Sequence, residues 1–153
     1  MGKIEEKLSE MGITIPPCVA PKGNYVLSVR RGNTLHLSGH IPSTPSGLIK
    51  GTLGDNLSVE QGYESAKTCA INILSTLQAE LGTLDKVAQI VKIVGFVACT
   101  PDFEQQPSVI NGASDFFVEV FGDKGQHARS AVGTNALPLG IATEVECIVE
   151  VEE

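Results

Sequence analysis

The stretch "EVECIVEVE", residues 144–152, decides the fold. Successive side chains of an extended chain point to opposite faces. Val145, Cys147, Val149 and Val151 therefore look one way, and Glu144, Glu146, Glu150 and Glu152 the other. One face of this strand packs on an apolar layer and the other is wet. The stretch "VAQIVKIVGFVACT" (87–100) reads differently, because its second half is apolar at both parities, the mark of a strand covered on both sides. Taken together, the two predict a sheet with helices on one face and a partly apolar second face, which a further copy of the chain would bury. The expected fold class is α+β, with a mixed sheet, two main helices on one face and an oligomer formed through the sheet.

Working outward from these strands, Ser58 and Gln61 have the spacing of a capping box, in which each side chain satisfies an orphan backbone N–H. Behind them Ala66, Ala70, Ile73, Leu74, Leu77 and Leu81 form the apolar stripe of a helix that ends at Gly82. Pro107 opens a second helix, with Val109, Ile110, Ala113, Phe116, Phe117 and Val120 inward and Gly122 at its end. Residues 24–31 and 34–39 read as strands joined by a Gly32-Asn33 turn. Residues 42–56, rich in Pro, Ser, Gly and Thr, read as a loop holding one short edge strand around Leu48–Lys50. A strand is expected over 128–134. Ile4, Leu8 and Met11 predict a short N-terminal helix stopped by Gly12 and Pro16-Pro17. No linker or repeat divides the chain, so residues 1–153 are expected to be one domain: an extension over 1–23 and a core over 24–153.

Eleven basic against 18 acidic residues give a formal charge of −7, which disfavours nucleic acid as a partner because that affinity comes from clustered Lys and Arg. The acidic N-terminus lacks the apolar run of a signal peptide, and no segment is long enough to span a membrane. Cys18, Cys69, Cys99 and Cys147 are scattered, with no C-x-x-C spacing. Reduced thiols in a cytoplasmic protein are expected. His36, His40 and His127 have no ligand spacing with cysteines or acids, so no metal is expected, and no nucleotide-cofactor motif is present.

The chemistry centres on "GQHARSAVGTNALP" (125–138), where no acid lies between Lys124 and Pro138 to neutralise Arg129. A guanidinium presents a flat fork of donors matching a carboxylate, and Ser130, Ala131 and Gly133 leave room for a small ligand near the backbone. An ordinary rim arginine with a surface partner is the alternative. Glu144 reads as the wet side of its strand. If strand 128–134 pairs with strand 142–152, however, Glu144 approaches the arginine and can hold or deprotonate a water there. Tyr25 and Asn111 are candidates with plain readings as well, a core edge and a polar helix side.

The segments "GNTLHLSGHIP" (32–42), "GDN" (54–56) before the capped helix, "DF" (102–103), "NGASDFF" (111–117) and "HARSAVGTNALP" with "VECIVEV", in that order, carry a resemblance over Asn24 to the C-terminus. The chain resembles the reactive intermediate/imine deaminase family, also called YjgF-like or "endoribonuclease L-PSP". The resemblance implies a chorismate-mutase-like fold, a homotrimer with ligand clefts between subunits, and cofactor-free hydrolysis of 2-imino acids to 2-oxo acids and ammonia. It also implies that Arg129 binds the substrate carboxylate, that Glu144 serves the attacking water, and that Tyr25, Asn111 and Ala131 line the pocket. Ala131-Val132-Gly133 stand where active members carry Cys-Val-Glu, and Ala136 where a basic residue is common. A longer spacer between Asp102-Phe103 and Asn111 raises the alternative that Asn111 is displaced. These departures and the N-terminal helix mark a divergent branch, for which a non-catalytic carboxylate-binding trimer is the runner-up reading and a ribonuclease the third.

Overall fold

The computed structural model describes residues 1–153. Helix α1 covers Lys3–Glu10, α2 Val59–Leu81 and α3 Gln106–Phe121. The strands are β1 (Ser28–Arg31), β2 (Thr34–His40), β3 (Ser43–Thr44), β4 (Gly47–Leu48), β5 (Val87–Ala98), β6 (Ala128–Thr134) and β7 (Thr143–Val151). The Ser58–Gln61 box is present: Gln61 N donates to Ser58 Oγ at 3.1 Å, and Ser58 N to Gln61 Oε1 at 2.8 Å. Gly82 ends α2 at φ 81°, a conformation costly for any residue with a Cβ.

Five strands form one sheet in the order β1-β2-β7-β5-β6, antiparallel except for the parallel pair β5–β6. Each parallel relation needs a crossover: α2 carries the chain from β2 to β5, and α3 from β5 to β6. Both helices lie on the face where Leu35, Leu37, Ile90, Ile93, Val97, Val145, Cys147 and Val149 are buried. The opposite face carries Val94, Phe96, Ile148 and Val132, the last 44% exposed in the single chain. The half-covered sheet expected from residues 87–100 and 144–152 is therefore observed.

Some boundaries differ. Strand β1 begins at Ser28 and not at Asn24, and the loop forms a separate two-stranded hairpin, β3–β4, with Lys50 bridging to Ile141 instead of extending an edge strand. The N-terminal residues pack on the core. Leu8 is buried in it, and Asp85 accepts from the backbone of Lys3 (2.9 Å) and Ile4 (2.8 Å), capping α1 from a distant loop. Those two hydrogen bonds hold the Asp85 carboxyl below its ordinary range.

Candidate functional site

Arg129 stands on the outer strand β6, opposite Ile93 and in line with Cys147. Both neighbours are buried against the helices, so the arginine also points to that side, toward α3. There Asn111 and Ser114, one turn apart on the flank of the helix, meet it. Arg129 Nη1 donates to Asn111 Oδ1 at 2.8 Å and to Ser114 Oγ at 3.1 Å. Nη1 has two hydrogens and both are used. Nε–H and the two hydrogens of Nη2 remain uncommitted, an edge that fits a carboxylate. Neither acceptor is charged, and the one ion pair of the chain, Lys124–Glu152 at 3.9 Å, lies elsewhere on the surface. The guanidinium is oriented without being neutralised.

Helix α3 presents these acceptors because it packs close to α2. A Cβ at Gly112 would overlap the Tyr63 carbonyl oxygen, so glycine permits the contact that sets how the helix rolls. With Val109, Ile110, Ala113, Phe116 and Phe117 buried, Asn111 and Ser114 fall toward β6. The longer spacer before Asn111 does not displace it from the arginine. Ala131 follows Arg129 on the same side, opposite Gly95. Gly133 continues that row, and a Cβ there would come within 2.6 Å of Cys99 Sγ. The wall beyond the arginine is thus built of small residues.

Glu144 is elsewhere. It aligns with Phe96 and Val132 on the face away from the helices. The conditional pairing of strand 128–134 with strand 142–152 does not occur, because β5 lies between them and pairs with both. Arg129 and Glu144 of one chain are therefore two strand spacings apart across the sheet, about 9.5 Å, offset by three residues, about 10 Å, along it, and on opposite faces. The physical reason is the apolar character of β5 at both parities, which favours the centre of the sheet over its edge. The Glu144 side chain lies over Gly39, where a Cβ would come within 2.9 Å of its Cδ. Burial, and secondarily the neighbouring charge of Glu146, push the Glu144 carboxyl above the ordinary carboxylate range. Tyr25 precedes β1 and is 51% exposed. Its neighbourhood is tied to β2 by Ser38, whose Oγ donates to the Val26 carbonyl at 2.6 Å and whose N donates to Leu27 at 2.9 Å.

The candidate residues thus divide. Arg129, Asn111 and Ala131 share the β6–α3 edge, whereas Tyr25 and Glu144 belong to the β1–β2–β7 side. The sequence reading missed Ser114, which joins Arg129 to α3, and Gly39, which makes room for Glu144. Ser114 was legible in principle, three residues after Asn111 on a helix flank. Of the concavities in the single chain, one of about 630 Å³ lies against α1 and one of about 200 Å³ is lined by His36, Lys92, Val94, Glu146 and Ile148. Neither includes Arg129.

Residues 5–151 match the family described as "YjgF/chorismate_mutase-like, putative endoribonuclease". The chain belongs to this family. Among relatives, it is 44% identical over 151 residues to Protein TCP17 of Trypanosoma cruzi, covering 97% of this chain and 94% of that protein. It is 28% identical over 142 residues to a 2-iminobutanoate/2-iminopropanoate deaminase of Dermatophagoides farinae, covering 92% and 95% of the two chains. Among solved structures, the protein Atu1372 of Agrobacterium tumefaciens, of unknown function, superposes with a TM-score of 0.90 at 39% identity, covering 97% of this chain and 94% of that one. The YjgF-like fold, mixed sheet and short N-terminal helix agree with the expectation from sequence. No helix is long and apolar enough to cross a membrane.

Proposed function

We propose that this YjgF-family protein hydrolyses reactive 2-imino acids to 2-oxo acids and ammonia in clefts between the subunits of a cytoplasmic homotrimer. One observation carries the reading: Arg129 is held by two neutral acceptors through Nη1, leaving its charge and its Nε/Nη2 edge for an anion. A 2-imino acid offers a carboxylate for that edge, beside an electrophilic C=N carbon. The small wall at Ala131 and Gly133 suits so compact a ligand, and a named imine deaminase among the relatives points the same way.

The division of the candidate residues supports the trimer. Arg129 with Asn111 lies at one edge of the sheet, and Glu144 with Tyr25 toward the other, so one chain does not bring them together. A head-to-tail ring that sets the β6–α3 edge of each copy against the open sheet face of its neighbour completes the cleft and covers Val94, Phe96 and Val132. In that cleft the neighbour's Glu144 carboxylate takes a proton from water as its oxygen bonds to the imine carbon. The carboxyl returns that proton to the imine nitrogen, giving an aminoalcohol, and transfer of the hydroxyl hydrogen to the amino group lets the C–N bond break and ammonia leave as the C=O forms. A carboxylate whose pKa is raised above its ordinary range is the better base for taking that proton. No cofactor or metal is needed for these steps.

The test generates 2-iminobutanoate in situ and measures its loss against trapping by semicarbazide. Wild type is expected to accelerate hydrolysis, and Arg129→Ala to lose about 10²–10³ in kcat/KM, the scale of removing one essential charge-stabilising group. If wild type binds 2-oxobutanoate without accelerating imine loss, the chain is a carboxylate-binding protein, a reading favoured by Ala131-Val132-Gly133 standing where active members carry Cys-Val-Glu. The formal charge of −7 gives no support to a nucleic-acid substrate.

A further inference from the structure

His127 immediately precedes β6 and is half-buried, with its ring edge against Phe117 at a centroid distance of 6.2 Å. Its Nδ1 lies 2.6 Å from the Gly125 carbonyl oxygen, and its Nε2 lies 2.9 Å from Ser114 Oγ. A carbonyl only accepts, so Nδ1 carries the hydrogen. In the neutral ring Nε2 then has a lone pair and accepts the Ser114 hydroxyl hydrogen. With its hydrogen committed, the Ser114 oxygen faces Arg129 Nη1 as a pure acceptor at 3.1 Å. The chain of bonds runs in one direction, from guanidinium to hydroxyl to imidazole, and ends on a backbone carbonyl.

The backbone carbonyl that anchors it is itself fixed. Residues 122–125 form a 3-10 turn, and a Cβ at Gly125 would overlap the Phe117 carbonyl oxygen. Glycine lets the turn lie directly on α3, where Gly125 can receive His127.

We propose that His127, acting through Ser114, is the positioning residue that sets the rotation of the Arg129 guanidinium and so directs its free Nε/Nη2 edge into the ligand cleft. The role rests on the reading of Arg129 as the carboxylate anchor. Without the imidazole acceptor, the Ser114 hydroxyl is free to turn its hydrogen toward Arg129, where two donors meet and Nη1 loses one of its two acceptors. Asn111 alone then permits the guanidinium plane to swing about the remaining bond.

The experiment compares wild type with His127→Phe, His127→Gln, Ser114→Ala and the double variant His127→Phe/Ser114→Ala. Phenylalanine keeps the edge contact with Phe117 but offers no acceptor; glutamine offers a carbonyl oxygen to Ser114. For 2-iminobutanoate hydrolysis, His127→Phe is expected to raise KM about tenfold with kcat within threefold, as loss of oriented ground-state and transition-state binding requires. A purely structural defect would lower the active fraction, hence apparent kcat, and leave KM alone. Ser114→Ala is expected to match His127→Phe, the double variant to add nothing to either, and His127→Gln to recover most of the loss. Unchanged KM in His127→Phe, or additive effects in the double variant, overturns the proposal.

A readout independent of activity separates this inference from the proposed function. Nitrogen-15 NMR of the imidazole should show His127 protonated at Nδ1 and bare at Nε2 at pH 8, and the Arg129 side-chain N–H resonances should shift in His127→Phe. An Nε2–H tautomer, or unmoved Arg129 resonances, overturns the positioning role even if imines are hydrolysed. If wild type neither hydrolyses imines nor binds 2-oxobutanoate, the proposed function fails, and the NMR result alone decides how Arg129 is set.

Discussion

Two histidines in this fold are built alike and end differently. His40, at the end of β2, places Nδ1 2.6 Å from the carbonyl of Ser38, two residues back, and Nε2 2.7 Å from Thr76 Oγ1 on α2. His127, at the start of β6, places Nδ1 2.6 Å from the carbonyl of Gly125, also two residues back, and Nε2 2.9 Å from Ser114 Oγ on α3. In each, a backbone carbonyl fixes the tautomer and a helix hydroxyl donates to the ring. Beyond Thr76 there is only Cys18 Sγ, 3.8 Å away; beyond Ser114 there is the guanidinium of Arg129. His40 is 7% exposed and belongs to the wall between sheet and helix, whereas His127 lies half-buried at the sheet edge. The same local device ties a strand to a helix in one place and meets a guanidinium in the other. What it accomplishes is decided by the group past the hydroxyl.

Removing the two hydroxyls gives the sharpest contrast. Thr76→Val keeps the shape of the side chain but leaves the buried His40 Nε2 without a donor, at a cost of about 1–3 kcal/mol for an unsatisfied buried group. The thermal midpoint should fall by roughly 2–12 °C for a chain of this size. Imine kinetics of the folded protein should stay unchanged. Ser114→Ala should do the reverse, with a loss of at most about 1 kcal/mol at its half-buried position and the rise in KM given above. Equal stability losses with equal kinetic losses would mean that the two networks are not specialised at all.

Stability against pH separates the pair further. Burial lowers the His40 pKa below 6.5, its hydrogen bond to Ser38 opposing the shift. A group whose folded pKa is depressed is neutral in both states above its unfolded value. Below that value the unfolded chain takes up a proton that the native one refuses. The His40 contribution to stability is therefore intact above about pH 6.5 and is lost as pH falls from there toward the folded value. Denaturant titrations of wild type should show a decline between pH 7 and 5, beyond that of His40→Asn, which has no imidazole to protonate. An equal decline in both proteins would remove His40 as its cause.

The difference between the two histidines was not legible from spacing. His36 and His40 share parity, and an uninterrupted strand would put them on one face. The β2–β7 register gains one residue between Leu37 and His40, and this bulge turns His40 inward to α2. His127 looked isolated because Gly125 and Ser114, its partners, are meaningful only once α3 lies against the turn at 122–125. By contrast, the alternation at 144–152, the capping box at Ser58 and the stripes of α2 and α3 were readable because each depends on residues within a few positions of one another. Arg129 was singled out by the absence of nearby acids, a local property as well. Its supposed approach to Glu144 depended on strand order, which local patterns do not encode, and there the expectation failed.

The smallest expected effect tests where the His40 network stops. With Nδ1–H on the Ser38 carbonyl, Nε2 takes the Thr76 hydrogen, and the Thr76 oxygen faces the thiol of Cys18 as acceptor. A thiol is a weak donor, the 3.8 Å separation is long even for sulfur, and Cys18 is exposed, so water replaces the contact readily. Cys18→Ala should change stability by less than about 0.5 kcal/mol, the ordinary range for exposed substitutions, and leave imine kinetics untouched. A destabilisation comparable to that of Thr76→Val would show that the thiol completes the network, and the contrast with Arg129 would then lie in the chemistry of the terminal group instead of in its presence. A small effect places the end of the network at Thr76, inside the protein, while its counterpart at the sheet edge continues through Ser114 to the Arg129 guanidinium.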